Sequence, residues 1–241
     1  MERIYGRNPV MEALRSGQDI DRIYILDSVR GEFEKEIRRL CKDAAIPLHR
    51  VPKSKLDLEI PGNHQGIYAV ISTLEYVDLE VLLPQLFKQK KNPVLLLLDG
   101  IQDIRNVGAI ARSAEVFGAD AIVIPAKKSA PVNEIAIKAS AGALLHLPVS
   151  RVKSLATAIE FLGKNGVEVI GADVEGDTNI SDLNLMGPLG VVLGAEGKGI
   201  DRNLKIYFDH LFFIPQAGEI QSLNVSVAAG IILYEIHKSR L

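Results

Sequence analysis

Residues 94–124 read VLLLLDGIQDIRNVGAIARSAEVFGADAIVI, and they decide the fold class. Val94–Leu98 and Ala121–Ile124 are strand-length runs that are apolar without alternation. Between them, Val107, Ile110, Ala111, Ala114 and Phe117 recur at helical spacing, which predicts a helix over Val107–Phe117. A strand that is apolar on both faces belongs in a parallel sheet covered on both sides. The same alternation continues outward. Leu147–Val149, Val167–Gly171, Gly190–Leu193 and Leu211–Ile214 are further apolar runs, and Asn133–Ala141 and Ser154–Asn165 carry helical patterns. Residues 93–241 are therefore expected to form an α/β domain, a mostly parallel sheet with helices on both faces.

Upstream, residues 1–72 read as a smaller α/β unit. Pro9–Arg15 and Glu32–Ala45 are expected helices, and Arg22–Leu26, Pro47–Val51 and Ile67–Ile71 are expected strands. Cys41 falls on the apolar stripe of the second helix with Phe33, Ile37, Leu40 and Ala44, as a core thiol would. A polar loop, Gly62-Asn63-His64-Gln65-Gly66, precedes the last strand. Residues 73–92, with Pro84 and Lys88, Lys90 and Lys91, read as a linker with a helical turn or two.

The 241 residues are 47% hydrophobic and 24% charged, which excludes a disordered chain. There is no eighteen-residue apolar run, so no membrane span is expected, and Arg3, Arg7, Glu12 and Arg15 are incompatible with a signal peptide. A lone cysteine allows neither an internal disulfide nor a cysteine metal site and fits a reducing, cytoplasmic setting. The net charge of −2 does not by itself exclude a nucleic-acid partner, because affinity follows the local distribution of charge. Residues 1–72 hold 12 basic and 11 acidic side chains, and residues 93–241 hold 13 and 16.

Ligands of parallel sheets sit beyond the carboxyl ends of the strands, so the loops there carry the candidates. In the first, Asn106 stands where a helix N-cap is expected, and Arg112 points off the buried stripe, either into solvent or toward a phosphate beside the cleft. The second, Gly194-Ala195-Glu196-Gly197-Lys198-Gly199, permits backbone shapes that side chains would block. It matches neither the phosphate loop nor the dinucleotide fingerprint. Glu196 within it needs water or a partner. In the third, Ser222 is a candidate N-cap for the apolar helix that follows. Asn224 and Ser226 in that helix's first turn need partners, which a ligand would supply. That helix, Val227–Lys238, is apolar almost all round, so it is expected to be buried in the domain or against a second subunit.

Taken together, these loops resemble the SpoU (TrmH-type) family of RNA ribose 2'-O-methyltransferases of the SPOUT superfamily. The motifs are Asn106-x-Gly108-x-x-x-Arg112, then Leu193-Gly194-x-Glu196-Gly197-x-Gly199, then Ile214-Pro215-x-x-Gly218 with Ser222-Leu223-Asn224-Val225-Ser226. The N-terminal Ile4-Tyr5-Gly6-Arg7-Asn8-Pro9 and His64-Gln65-Gly66 are similar to the branch acting on a 23S ribosomal RNA guanosine, in which a small RNA-binding domain precedes the catalytic one.

The resemblance implies S-adenosylmethionine (AdoMet) as methyl donor with no metal, a homodimer and a C-terminal trefoil knot. It implies a catalytic set of Asn106, Arg112, Glu196, Ser222 and Asn224. It implies a cofactor pocket of Gly194, Ile214, Leu223, Ala172, Gly197 and Gly199, with Asp173 beside it. Arg112 would serve as base or as the ligand of phosphate and alkoxide. Two rival readings stay open, a nucleotide-dependent oxidoreductase and a non-catalytic ribosome-assembly factor. Within the enzyme reading, tRNA guanosine is the alternative substrate.

Overall fold

The computed structural model describes residues 2–195, 197–218 and 222–241. Met1–Glu75 with Val132–Glu134 form one compact unit, and Tyr76–Pro131 with Ile135–Leu241 a second.

The first unit runs β1 (Arg3–Tyr5), α1 (Arg7–Arg15), β2 (Ile20–Leu26), α2 (Glu32–Asp43), β3 (Leu48–Val51), α3 (Lys53–Glu59) and β4 (Ile67–Ile71). Its sheet has the order β1-β4-β2-β3, with β3 parallel to β2 and β4 antiparallel to both its neighbours. Period-2 alternation sends Ile23, Ile25, Ile67 and Ala69 to one face, where they pack on Val10 and Met11 of α1 and Ile37 and Cys41 of α2. The other face meets α3 through Leu56 against Val51, Tyr68 and Val70. Helix α3 is absent from the sequence reading, because in Lys53–Glu59 only Leu56 is buried and one apolar contact sets up no period. His64 is a structural turn residue here. Its Nδ1 accepts the Gly66 N–H at 2.9 Å and its Nε2 meets Asp57 Oδ1 at 2.9 Å.

The second unit runs α4 (Leu79–Gln89), β5 (Val94–Leu98), α5 (Ile104–Val116), β6 (Ala121–Pro125), α6 (Glu134–Ala139), β7 (Val149–Val152), α7 (Leu155–Lys164), β8 (Glu168–Ala172), β9 (Thr178–Asn179), β10 (Leu189–Leu193), α8 (Arg202–Lys205), β11 (His210–Phe213) and α9 (Val225–Ser239). Strand order is β7-β6-β5-β10-β8-β11-β9, and every pairing is parallel. All five residues of β5 and of β10 are buried, as expected of central strands covered on both faces. Leu95, Leu97, Val123 and Val192 face α4 and α7. Leu96, Leu98 and Ile122 alternate with them and turn to the opposite face, left to the α5–α9 pair.

Several local expectations are corrected. Residues 79–89 are not a turn or two of connection but an eleven-residue helix, capped by Asp78, whose side chain accepts the Glu80 N–H at 2.8 Å. Leu79, Leu82, Leu83 and Leu86 bury themselves in the core of the second unit. Each such side chain contributes about 2 kcal/mol by leaving water. Strand β7 lies two residues later than the run Leu147–Val149, since Pro148 lacks the N–H a ladder needs.

Asn106 is not an N-cap. Asp103 caps α5 by accepting the Arg105 N–H at 2.7 Å, which leaves Asn106 in the first turn. Nor is Ser222 the cap of α9; Asn224 is, accepting the Ser226 N–H at 2.9 Å. In both cases two cap-competent side chains lie within three residues, and the backbone turn selects one. Helix α9 buries Val225, Ala229, Ile232, Leu233 and Ile236, while Val227 (50%) and Tyr234 (49%) stay exposed. Its last turn is tied down by Arg240, which donates to the carbonyls of Asn92 (2.7 Å), Leu185 (2.9 Å) and Gly187 (2.5 Å).

Candidate active site

The sheet reverses its direction of growth between β5 and β10, the kind of place where a crevice opens at the strand carboxyl ends. A cleft of about 490 Å³ lies at those ends, beyond β8, β10 and β11, within the usual size of a small-molecule site. Its wall is largely backbone and apolar side chain.

The glycine loop shows why it is built so. A Cβ on Gly194 would lie 2.2 Å from the Gly199 carbonyl carbon and 2.3 Å from the Ile200 nitrogen, so only glycine fits. Gly197 and Gly199 have φ of +74° and +65°, the left-handed region glycine enters without cost. Two reciprocal backbone bonds close the turn, Ala195 N–H to Gly199 O (3.1 Å) and Gly199 N–H to Ala195 O (2.8 Å). The backbone at Gly194, Gly197 and Gly199 is thereby held against the cleft.

The floor after β8 carries charge. Asp173 Oδ2 is 2.7 Å from Lys205 Nζ, and its Oδ1 accepts the Glu175 N–H at 3.0 Å. The carboxylate is thus oriented before any ligand arrives. On the far wall, Asn224 Oδ1 also accepts from the Ser226 hydroxyl (2.6 Å), and its Nδ2 donates to Asn106 Oδ1 (3.2 Å), across 118 residues of chain. This contact fixes the start of α9 to the start of α5. Behind the glycine loop, Asp99 Oδ2 accepts the Asp201 N–H at 2.7 Å, and burial raises the Asp99 carboxyl above the ordinary range.

Of the residues singled out beforehand, Ala172, Gly194, Gly197, Gly199, Ile214, Leu223, Ser222 and Asn224 all line this one cleft. Asn106 joins it through Asn224. Arg112 does not; it is exposed on α5, six residues or about 9 Å further along the helix and outside the lining. Glu196 lies outside the described residues. Val225 of the third motif lines the cleft too, and so do Phe212, Gln216 and Ala228, which were not singled out. Gln216 was within reach of the strand-end rule, as the second residue after Ile214. Phe212 and Ala228 carried no signal beyond ordinary core composition. Among the described residues, no group of three or more His, Cys, Asp or Glu is placed to hold a metal, and no helix is long and apolar enough to cross a membrane.

Residues 93–234 match the family model of the SpoU rRNA methylase family. The chain belongs to the SpoU family. Residues 3–77 of this SpoU chain match a second model, described as RNA 2'-O ribose methyltransferase substrate binding. A Staphylococcus saprophyticus protein named for the TrmH family of tRNA/rRNA methyltransferases is 39% identical over 98% of this chain and 95% of its own. The fold of the SpoU methyltransferase AviRb from Streptomyces viridochromogenes, solved with AdoMet, superposes with a TM-score of 0.63 at 23% identity, over 99% of this chain and 90% of that one. An AdoMet-bound rRNA methyltransferase from Sinorhizobium meliloti gives 0.64 at 22% identity, over 99% and 87%.

Proposed function

We propose that this SpoU chain transfers a methyl group from AdoMet to a ribose 2'-hydroxyl of RNA, and that its substrate is a guanosine of 23S ribosomal RNA. The observation that carries the reading is the cleft at the strand ends, lined by Ala172–Val174 and by residues of the second and third motifs, Gly194, Gly197 and Gly199 with Ile214 and Ser222–Val225, while the first motif reaches it through the Asn106–Asn224 bond. The rRNA assignment rests on the N-terminal Ile4–Pro9 and His64–Gly66 motifs together with the substrate-binding match over residues 3–77.

The residues present suit AdoMet. Leu193, Phe212, Ile214, Leu223 and Val225 offer an apolar slot for an adenine ring, the closed glycine loop offers backbone groups, and Asp173 is a fixed acceptor for hydroxyls. When bound, AdoMet supplies an electrophilic methyl group on a sulfonium. The chain's part is to bind the donor, hold the 2'-oxygen in line with it and assist loss of the hydroxyl proton. Asn224, braced by Ser226 and Asn106, holds the wall facing the acceptor ribose. Ser222 also lines the cleft. A guanidinium holds its proton tightly, so we assign Arg112 to the phosphate next to the reacting ribose and to the developing alkoxide.

Arg112 stands outside the cleft of its own subunit, and we propose that a second copy of the chain completes the site. Val227 and Tyr234 on α9 and Val116 (62% exposed) on α5 form an apolar surface for that copy to cover, and Phe117 packs edge-on to Tyr234 at 6.0 Å. We also propose that the chain leaving β11 is threaded as a trefoil knot. What supports it is that Ile214 and Ser222–Val225 line the same cleft as the 193–199 loop and that Asn224 meets Asn106 at the start of α5.

The test is methyl transfer from labelled AdoMet to total RNA of a strain lacking this protein, with the 2'-O-methyl mapped. Label in a 23S guanosine is expected. Label confined to tRNA overturns the rRNA assignment, and no label in any RNA overturns the enzyme reading. Arg112→Lys should lose most transfer while binding AdoMet normally; near-normal transfer removes the guanidinium's role.

A further inference from the structure

The sheet of the first unit carries an aromatic row. Tyr5 on β1 is opposite Tyr68 on β4, Tyr68 is opposite Tyr24 on β2, and Tyr24 is opposite His49 on β3. Directly paired residues project to the same face, so all four belong to the face that α3 covers in part. Three of the chain's six tyrosines fall in this single row, in a sequence only 5% aromatic. Tyr68 is buried under α3 and anchors the row. The Tyr24 ring stacks on it with centroids 4.8 Å apart and planes 20° apart, and His49 stacks on the other side of Tyr24 at 5.3 Å and 29°. The three rings make a column that starts in the core and ends at β3, the edge strand, on an exposed imidazole.

The charges around this end are ordered too. Lys55 on α3 places its Nζ 5.1 Å from the Tyr24 centroid and is exposed. Arg22, two residues before Tyr24 on the same face, is already held by Asp21 at 2.9 Å. Partial burial, then the charges of Arg22 and Lys55, hold the His49 imidazole below its ordinary pKa, with Asp21 opposing, so the ring is neutral at neutral pH. A cross-strand ladder accounts for Tyr24 against Tyr68. It does not account for a flat neutral ring left open at the sheet edge with a lysine ammonium beside it.

We propose that the His49 end of this column is a stacking site for one unpaired RNA base, with Lys55 taking the adjacent phosphate. The inference rests on the chain's reading as an RNA methyltransferase and names how its substrate is gripped away from the methylation cleft. An unstacked base would add as the fourth ring of the column. Aromatic faces hold bases in this way with little sequence preference, and a lysine supplies the phosphate contact. A duplex, whose bases are already stacked, gains nothing there.

The experiment uses the full chain, a fluorescein-labelled mixed-sequence 12-mer RNA and a duplex of the same length, read by fluorescence anisotropy. His49→Ala should bind the single strand roughly 10- to 100-fold more weakly. His49→Phe, which keeps a ring and loses both nitrogens, should stay within about threefold of the unaltered protein. Duplex affinity and AdoMet affinity should not change in either variant, and Lys55→Gln should lower the salt slope by about one. Equal weakening in the Ala and Phe variants overturns the proposal, as does wild-type affinity in His49→Ala, or a loss shared by the duplex. Methyl transfer to total RNA separates this failure from that of the enzyme reading. If unaltered protein methylates RNA and His49→Ala keeps its KM, the stacking site alone is refuted; if no RNA accepts a methyl group, the reading beneath it falls.

Discussion

Gly194→Ala tests whether the cleft's shape depends on backbone closeness. The added Cβ would lie 2.2 Å, 2.3 Å and 2.5 Å from the Gly199 carbon, the Ile200 nitrogen and the Gly199 oxygen, all main-chain atoms that no rotamer change can remove. Reaching ordinary contact near 3.5 Å requires a shift of about 1 Å in the 195–200 backbone. That shift strains the two bonds closing the Ala195–Gly199 turn. Forced overpacking of this kind costs about 1–3 kcal/mol, which for a chain of this size lowers the melting temperature by roughly 3–10 °C.

The same displacement moves the donor-facing backbone, so AdoMet should bind about 10- to 100-fold more weakly by isothermal titration calorimetry. Gly163→Ala is the control, because its Cβ would meet nothing within 4 Å on the exposed side of α7. It should leave AdoMet binding unchanged and stability equal or slightly higher. Gly194→Ala with wild-type affinity and melting temperature would refute the steric argument outright.

Other expectations follow from the same contacts. Asn224→Ala should cost about 1–2 kcal/mol by thermal denaturation, since it removes both the cap of α9 and the bond to Asn106; Asn224→Asp, which keeps the cap, should recover most of that stability. Arg240→Ala should cost about 2–3 kcal/mol, by loss of three carbonyl bonds from one guanidinium, and Arg240→Lys should not restore it because an ammonium cannot span three carbonyls; equal stability of the Lys variant would refute the fork.

Acid should weaken the first unit. His64 and then Lys53 hold the Asp57 carboxyl below its ordinary value, and Arg38 and then Arg50 do the same for Glu34. Depressed carboxyls stabilise the fold at pH above their unfolded values, and that contribution is lost as pH falls through the folded ones. Stability of the unit followed by circular dichroism should therefore drop below about pH 4, and Asp57→Asn with Glu34→Gln should flatten the drop.

How much was legible in the sequence follows from burial. β5 and β10 lie between two layers of helix, so their runs are apolar on both faces and cannot be mistaken for amphipathic strands. The glycines of 194–199 were legible because close approach and left-handed φ both demand that residue. Caps were not. Asp103 and Asn106, like Ser222 and Asn224, are chemically interchangeable acceptors, and the choice is made by backbone dihedrals that composition does not encode. α4 was hidden by Pro84, a helix breaker tolerated here because four leucines bury its flank. Helical spacing turned Arg112 away from the buried stripe, but whether it faced solvent or the cleft was not legible, since the cleft is built from loops distant in the chain.

The bond between Asn106 and Asn224 has a consequence for synthesis in the cell. At about 5–20 residues per second, the 118 intervening residues take roughly 6–24 s to be translated. Throughout that interval α5 has been made, but α9, which shares with it the cover of the sheet face holding Leu96, Leu98 and Ile122, has not. The nascent chain therefore carries a partly uncovered hydrophobic face, a ready target for holding chaperones, and has no donor cleft until residues 222–239 clear the ribosome. A growing chain of this protein is expected to be both aggregation-prone and catalytically silent, and to lose both properties together.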